Sequence, residues 1–238
     1  MQGHLAPRYR PRVSKREPAE GDPVPGLARL PPGRHGLPAE FVAQNQRDRL
    51  TAGIIAAIVE HGYHEATIAQ ISEAAGVSRR TFYAFFSSKP QAYLETYELI
   101  AAHLSAQLDA AAGDPALPWP DRVRAGFTTL LETFAANPDL VRFCLIAPLS
   151  ADPEITARYR LSMKRLLALL TAAMPPPASR RPTRTAEDGI VGGVAALIVG
   201  KVKAGEGERL IELLPELLEL ALTPYVGRDE AVRIARGS

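Results

Sequence analysis

The chain of 238 residues holds a single cysteine, Cys144, which excludes an internal disulfide and a thiolate metal cluster. Its neighbours Phe143, Leu145 and Ile146 are apolar, so Cys144 reads as a small buried side chain rather than a redox sensor. The five histidines are scattered, with no pair four apart beside suitable carboxylates, and imply no metal; no cofactor is expected either. No phosphate-binding loop of the GxxxxGKS or GxxxxGKT type, no GxSxG elbow and no defensible carboxylate pair is present, so an enzyme is not expected. The most apolar stretch, Ile190 to Val202, is shorter than the ~20 residues that cross a bilayer. No segment has the charged start, apolar middle and cleavage site of a secretory signal, and the protein is expected in the cytoplasm. The formal charge of +2 and pI near 8.8 are too mild to indicate nucleic acid by themselves. No strand pattern survives; the expected class is all-α.

Against these absences, Gly62 to Lys89 carries a dense set of local instructions. Thr67 can N-cap a short helix with Ile68, Ile71 and Ala75 at helical spacing, because its side-chain oxygen satisfies an orphan backbone donor. Gly76 stands where a left-handed residue ends a helix cheaply, Val77 is an apolar plug, and Ser78 can cap the next helix. That second helix, Ser78 to about Phe86, has Phe82 and Phe86 four apart on the inner side and Arg79, Arg80, Thr81 and Tyr83 for the outer side. A cationic, hydrogen-bonding outer face suits a DNA groove. The preceding helix, Phe41 to His61, supplies Leu50, Ile54, Ala57 and Ile58 in one stripe. Gly53 within it costs about 1 kcal/mol relative to Ala, which points to close helix contact. Ser87, Ser88, Lys89 and Pro90 start a fourth helix with a serine cap and an early proline, and Lys89 is placed to reach a phosphate.

Through Gly62-Tyr63, Thr67-Ile68, Ile71, Ala74-Ala75-Gly76-Val77-Ser78, Thr81, Tyr83, Phe86 and Ser88-Lys89, the chain resembles the TetR family of transcriptional regulators. The match is gapless over this stretch and covers only the N-terminal module. Three positions depart from the usual pattern: Ser72 stands where Ala is common, Pro90 replaces a frequent Glu, and Phe85 occupies a place often held by His or Tyr that touches the DNA backbone. The resemblance and the residues together give the DNA-binding candidates Thr67, Ser78, Arg79, Arg80, Thr81, Tyr83, Phe85 and Lys89. Thr67 and Tyr83 are expected on phosphates and Arg79 or Arg80 on base edges.

Four segments follow from this reading. Residues 1–36, rich in Pro and Arg with few apolar side chains, are expected as a disordered basic arm. The arm either tracks phosphates and enters a minor groove or is a plain solubilising tail. Residues 37–90 form the three-helix DNA-binding domain, 91–227 a helical bundle for effector binding and dimerisation, and 228–238 a tail. Proline-rich loops at Asp114 to Pro120 and Pro175 to Pro182 interrupt the bundle. Its apolar stripes offer Phe127, Leu130, Phe134, Cys144, Tyr159 and Met163 as candidates for a ligand pocket or for ordinary core, with Arg142 as an anchor for an anionic ligand. A small-molecule effector is implied by the resemblance, not by these residues. Gly192, Gly193, Ala196 and Gly200, with Leu214 and Leu218 of the leucine-dense run that follows, make the expected homodimer interface, an isologous four-helix contact.

The expected function is a homodimeric regulator that binds palindromic double-stranded operators, most simply a repressor released by a small molecule. The alternative is a helical dimer acting through protein partners, its motif kept as a packing unit.

Overall fold

Thr67 and Gln70 exchange hydrogen bonds, the Thr67 side chain accepting from the Gln70 backbone N–H and the Gln70 side chain accepting from that of Thr67. This reciprocal cap starts a helix of only seven residues, too short to persist alone in water. The computed structural model describes residues 39–171 and 182–237; the basic arm 1–36 and the loop from Pro175 to Arg181 lie outside the described residues. The head of the molecule consists of α1 (Ala39–His61), α2 (Ile68–Ala74) and α3 (Arg79–Phe85). Gly76, at φ +60°, turns the chain between α2 and α3. Ser78 caps α3, its Oγ accepting from the Thr81 N–H at 3.0 Å. Leu50, Ile54, Ile71 and Phe82 are fully buried at the centre of the head.

Ser88 caps α4 (Lys89–Ala112) through the Gln91 N–H, with Pro90 in the first turn. This helix enters two cores. Ala92, Tyr93 and Tyr97 pack with the head, while Leu104 and Leu108 pack with a second cluster built from α5 (Trp119–Ala136), α8 (Arg184–Lys203), α9 (Leu214–Val226) and α10 (Arg228–Arg236). Between α5 and α8 come α6 (Pro138–Val141), a π-helical turn over Arg142–Ile146, a 3-10 turn over Ala147–Leu149, and α7 (Pro153–Thr171). In the π-helical turn the Ala147 N–H reaches back five residues to the Arg142 carbonyl. Phe143, Cys144, Ala147 and Ile155 of this region join the core of the head, so the two cores share both α4 and this connection. All elements among the described residues are helical, none long and apolar enough to cross a membrane.

Two expectations change. The apolar run from Leu210 is not one helix: residues Gly207–Leu213 form a 3-10 turn and α9 begins at Leu214. Pro215 accounts for the break, since it lacks an N–H and its ring clashes inside a helix but fits the first turn. The segment 228–238, expected as a tail, holds α10, with Ala231 and Ala235 buried against the bundle. Arg124 donates to the Ile234 carbonyl at its end. The small apolar face of α10, set among Arg228, Asp229, Glu230, Arg233 and Arg236, hides in a charged sequence.

Gly53 lies where α1 crosses α2. A Cβ there would stand 2.7 Å from both Cβ and N of Ala75 and 2.8 Å from the Ile71 carbonyl oxygen, and backbone on both sides leaves nothing soft to yield. Gly53→Ala is expected to cost about 1–3 kcal/mol, read as a lower urea midpoint with an unchanged slope; an unaltered midpoint would show that the two helices separate freely.

Candidate nucleic-acid interface and cavity

A recognition helix must keep its outer side free and its inner side locked. On α3, Phe82 is fully buried and packs edge-on against Tyr83 with centroids 5.5 Å apart. Tyr83 is 57% exposed, an unusual position for a large aromatic ring. Ser78, Arg79 and Arg80 are exposed, and neither arginine forms an ion pair with a described residue. Thr81 is half-buried, its hydroxyl 2.9 Å from that of Ser78. Thr67 is exposed at the start of α2. The structure therefore brings Ser78, Arg79, Arg80, Thr81 and Tyr83 together on one short helix. Phe85 is half-buried and packs against the head core.

Lys89 is engaged inside the protein. Its ammonium donates to the carbonyls of Tyr63, His64 and Ala66 at 2.6, 3.0 and 2.9 Å and stands 4.7 Å from the centroid of the Tyr63 ring. Desolvation by burial lowers its pKa, opposed by the charges of Asp152 and Glu65. Three acceptors use all three N–H bonds of an ammonium, which leaves none for the phosphate that sequence reasoning gave it. Sequence reasoning also missed Arg49, which donates to the carbonyls of Ala75 and Gly76 and so seats the turn of the motif from α1. No local pattern marks such a contact across 26 residues.

The head is tied to the region before α7 as well. Tyr63 Oη donates to Asp152, His64 Nε2 donates to the Ser150 carbonyl, and Tyr93 Oη donates to the Phe143 carbonyl at 2.6 Å.

Above this junction lies a cavity of about 490 Å³, within the range of small-molecule sites. Phe127, Leu130, Phe134, Cys144 and Met163 of the expected set line it. Tyr159 does not; it packs against the second core. Arg142 is on the surface, paired with Asp139 at 2.8 Å, because its place on the π-helical turn faces away from the cavity. Trp119, Val194 and Ile198 are among its other apolar residues, with Arg122, Arg158 and Arg165 as its cations. Burial pushes the Cys144 thiol up to about 12, so the thiolate is absent near neutral pH and the side chain acts as a small apolar group.

On the far side of α8, Gly192, Ala196 and Gly200 are exposed together with Leu197, and a Cβ at Gly192 or Gly200 would meet nothing. Gly193 instead faces Leu220, whose Cδ2 would lie 3.1 Å from a Cβ. Leu214 is half-buried. Leu218 is fully buried inside the protomer; it points to the core, which removes it from any surface.

The architecture has two parts: a helix-turn-helix head joined by a long helix to a bundle with a cavity. Residues 50–95 match the family described as bacterial regulatory proteins, tetR family. No curated protein matches. Among solved structures, the fatty acid degradation regulator FadR from Bacillus halodurans is similar, with 19% identity over 77% of this chain and 96% of that one and a TM-score of 0.65. The transcriptional regulator FadR from Bacillus subtilis, in complex with stearoyl-CoA, has 14% identity over 76% of this chain and 98% of that one, with a TM-score of 0.61. PfmR from Thermus thermophilus, a TetR-family transcriptional regulator, has 19% identity over 81% of this chain and 96% of that one, with a TM-score of 0.53. At these identities the likeness is one of fold, and it extends across both halves of the molecule.

Lys89→Met is expected to cost about 2 kcal/mol of stability by stranding three carbonyls, while leaving the salt dependence of DNA binding unchanged. A salt slope smaller by about 0.9 would instead place the ammonium on a DNA phosphate.

Proposed function

We propose that this protein is a homodimeric transcriptional regulator that binds palindromic operators, acting in the cytoplasm as a repressor released when a small molecule occupies the bundle cavity. The observation that carries the reading is the pair of exposed arginines, Arg79 and Arg80, without an ion-pair partner among the described residues, at the start of a helix that is capped at Ser78 and anchored by Phe82. Arginine is the commonest reader of guanine edges in the major groove, and Tyr83 and Thr67 supply neutral phosphate contacts beside it.

One such helix touches only a few base pairs. Two of them about 34–36 Å apart, one helical turn of DNA, read both halves of a palindrome. The exposed face of α8, with Gly192, Ala196 and Gly200, supplies a surface on which a second copy can pack closely. The FadR structure from Bacillus subtilis, of the same fold, holds stearoyl-CoA, which supports a small-molecule effector here. The route from effector to head runs through the π-helical turn: Cys144 and Leu145 line the cavity, and Phe143 between them and the head is buried in the core of the head. A ligand that shifts this turn favours a form with the heads out of register and draws population away from the operator-bound state. The bundle binds and does not turn its ligand over.

Selection of bound fragments from random duplex DNA, followed by titration at two salt concentrations, tests the reading directly. A palindromic winner with steeply salt-dependent affinity is expected; no enrichment would sink it and favour a dimer acting through protein partners. On that fragment, Arg79→Ala and Arg80→Ala are each expected to weaken binding, by about 1–3 kcal/mol where the side chain reads a base, with the melting curve and dimer intact. Ala196→Arg, in contrast, is expected to give a folded monomer by sedimentation and to lose cooperative binding to the two half-sites; a dimer of normal affinity would move the interface elsewhere.

A further inference from the structure

The polarity of the cavity is one-sided. Its α5 and α8 walls present Phe127, Leu130, Val194 and Ile198, a lining that gains from hydrocarbon and penalises any buried group without a hydrogen-bond partner. Its charged groups stand mainly on α4 and α7, with Arg122 on the first turns of α5. Glu98 and Arg158 neutralise one another at 2.9 Å. Asp109 is exposed, forms no ion pair with a described residue, and is screened by water. Two cations remain unopposed among the described residues. Arg122 is half-buried and uses only Nε, which donates to the Ala112 carbonyl at 2.6 Å; its terminal nitrogens, fixed in direction by that bond, have no partner among the described residues. Arg165, exposed at the rim, has none either.

We infer that the cavity takes an anionic amphiphile: a hydrocarbon chain lies between α5 and α8, and a carboxylate or phosphate group sits at the rim against Arg122 and Arg165. A neutral apolar molecule of the same size leaves the half-buried Arg122 guanidinium without a counter-charge, and a compact polar metabolite leaves the apolar walls unfilled. The planar guanidinium donates two parallel hydrogen bonds to either anion. This inference deepens the effector reading above and rests on the cavity being its site, but it is tested without DNA, so that failure of one does not count as failure of the other.

Trp119, the single tryptophan of the chain, lines the cavity and packs on Tyr225, and its fluorescence reports occupancy. The full-length protein is titrated with dodecanoate, dodecanoyl-coenzyme A and dodecan-1-ol below their aggregation limits. A saturable change at one molecule per protomer is expected, with at least one anionic probe binding roughly tenfold or more tighter than the alcohol. Tighter binding of the acid identifies a carboxylate as the recognised head; tighter binding of the thioester identifies its phosphates. Arg165→Gln and the double variant with Arg122→Gln are expected to lose that advantage for the anion while binding the alcohol as before, with Arg165→Gln, an exposed change, keeping the melting temperature. Equal affinity for alcohol and anions, an advantage that survives the double substitution, or no saturable change in Trp119 would each overturn the proposal.

Discussion

Carbonyl groups at the end of one helix and in the turn after it need donors, and water serves them only where the turn is open. Between α1 and α2 the turn is covered by the first residues of α4, and the ammonium of Lys89 meets the carbonyls of Tyr63, His64 and Ala66 there. The side chains of two of these residues end on other partners, the Tyr63 hydroxyl on Asp152 and the His64 ring on the Ser150 carbonyl. The turn is thus held by α4 through its backbone and by the approach to α7 through its side chains. Remove the ammonium and three acceptors lose their partner at once, an outcome costlier than the loss of a surface ion pair such as Arg47 with Glu95. The position of the head relative to the bundle follows from this meeting point.

The parts of the fold that were legible in the sequence are those governed by neighbours along the chain. Thr67, Ser78 and Ser88 act on N–H groups three residues away, and Gly76 responds only to its own backbone angle, so the three short elements of the head can be read without a tertiary structure. Arg49 and Lys89 act across more than twenty residues, and their partners are carbonyls, which carry no side-chain signature. Lysine at the start of a helix invites a phosphate from sequence; only folding shows that backbone oxygens arrive first.

The cavity was half legible for a related reason. The α5 stripe repeats at helical spacing and yields Phe127, Leu130 and Phe134. The small-residue helix α8 has two working faces, and sequence reasoning saw one. Gly192, Ala196 and Gly200 look outward, while Val194 and Ile198, offset by about half a turn, wall the cavity. A segment rich in both small and branched residues satisfies both readings, and composition alone does not separate them. Arg142 and Leu218 were misplaced because the orientation of the turn that begins at Arg142 and the face of α9 that meets the bundle are set by tertiary packing.

The continuity of α4 has a geometric consequence. Its 24 residues make a rod of about 36 Å, and its two ends belong to different cores. A rotation of about 5° around the bundle end sweeps the other end through about 3 Å, at the rise per residue of a straight α-helix. In the proposed two-fold pair the displacements would act in opposite directions and sum to about 6 Å, a sizeable fraction of the roughly 34–36 Å that separates successive major grooves on one side of DNA. A small angular change beside the cavity is therefore multiplied by helix length at the head, and in the proposed dimer symmetry would double it, with no residue of the head having to change conformation.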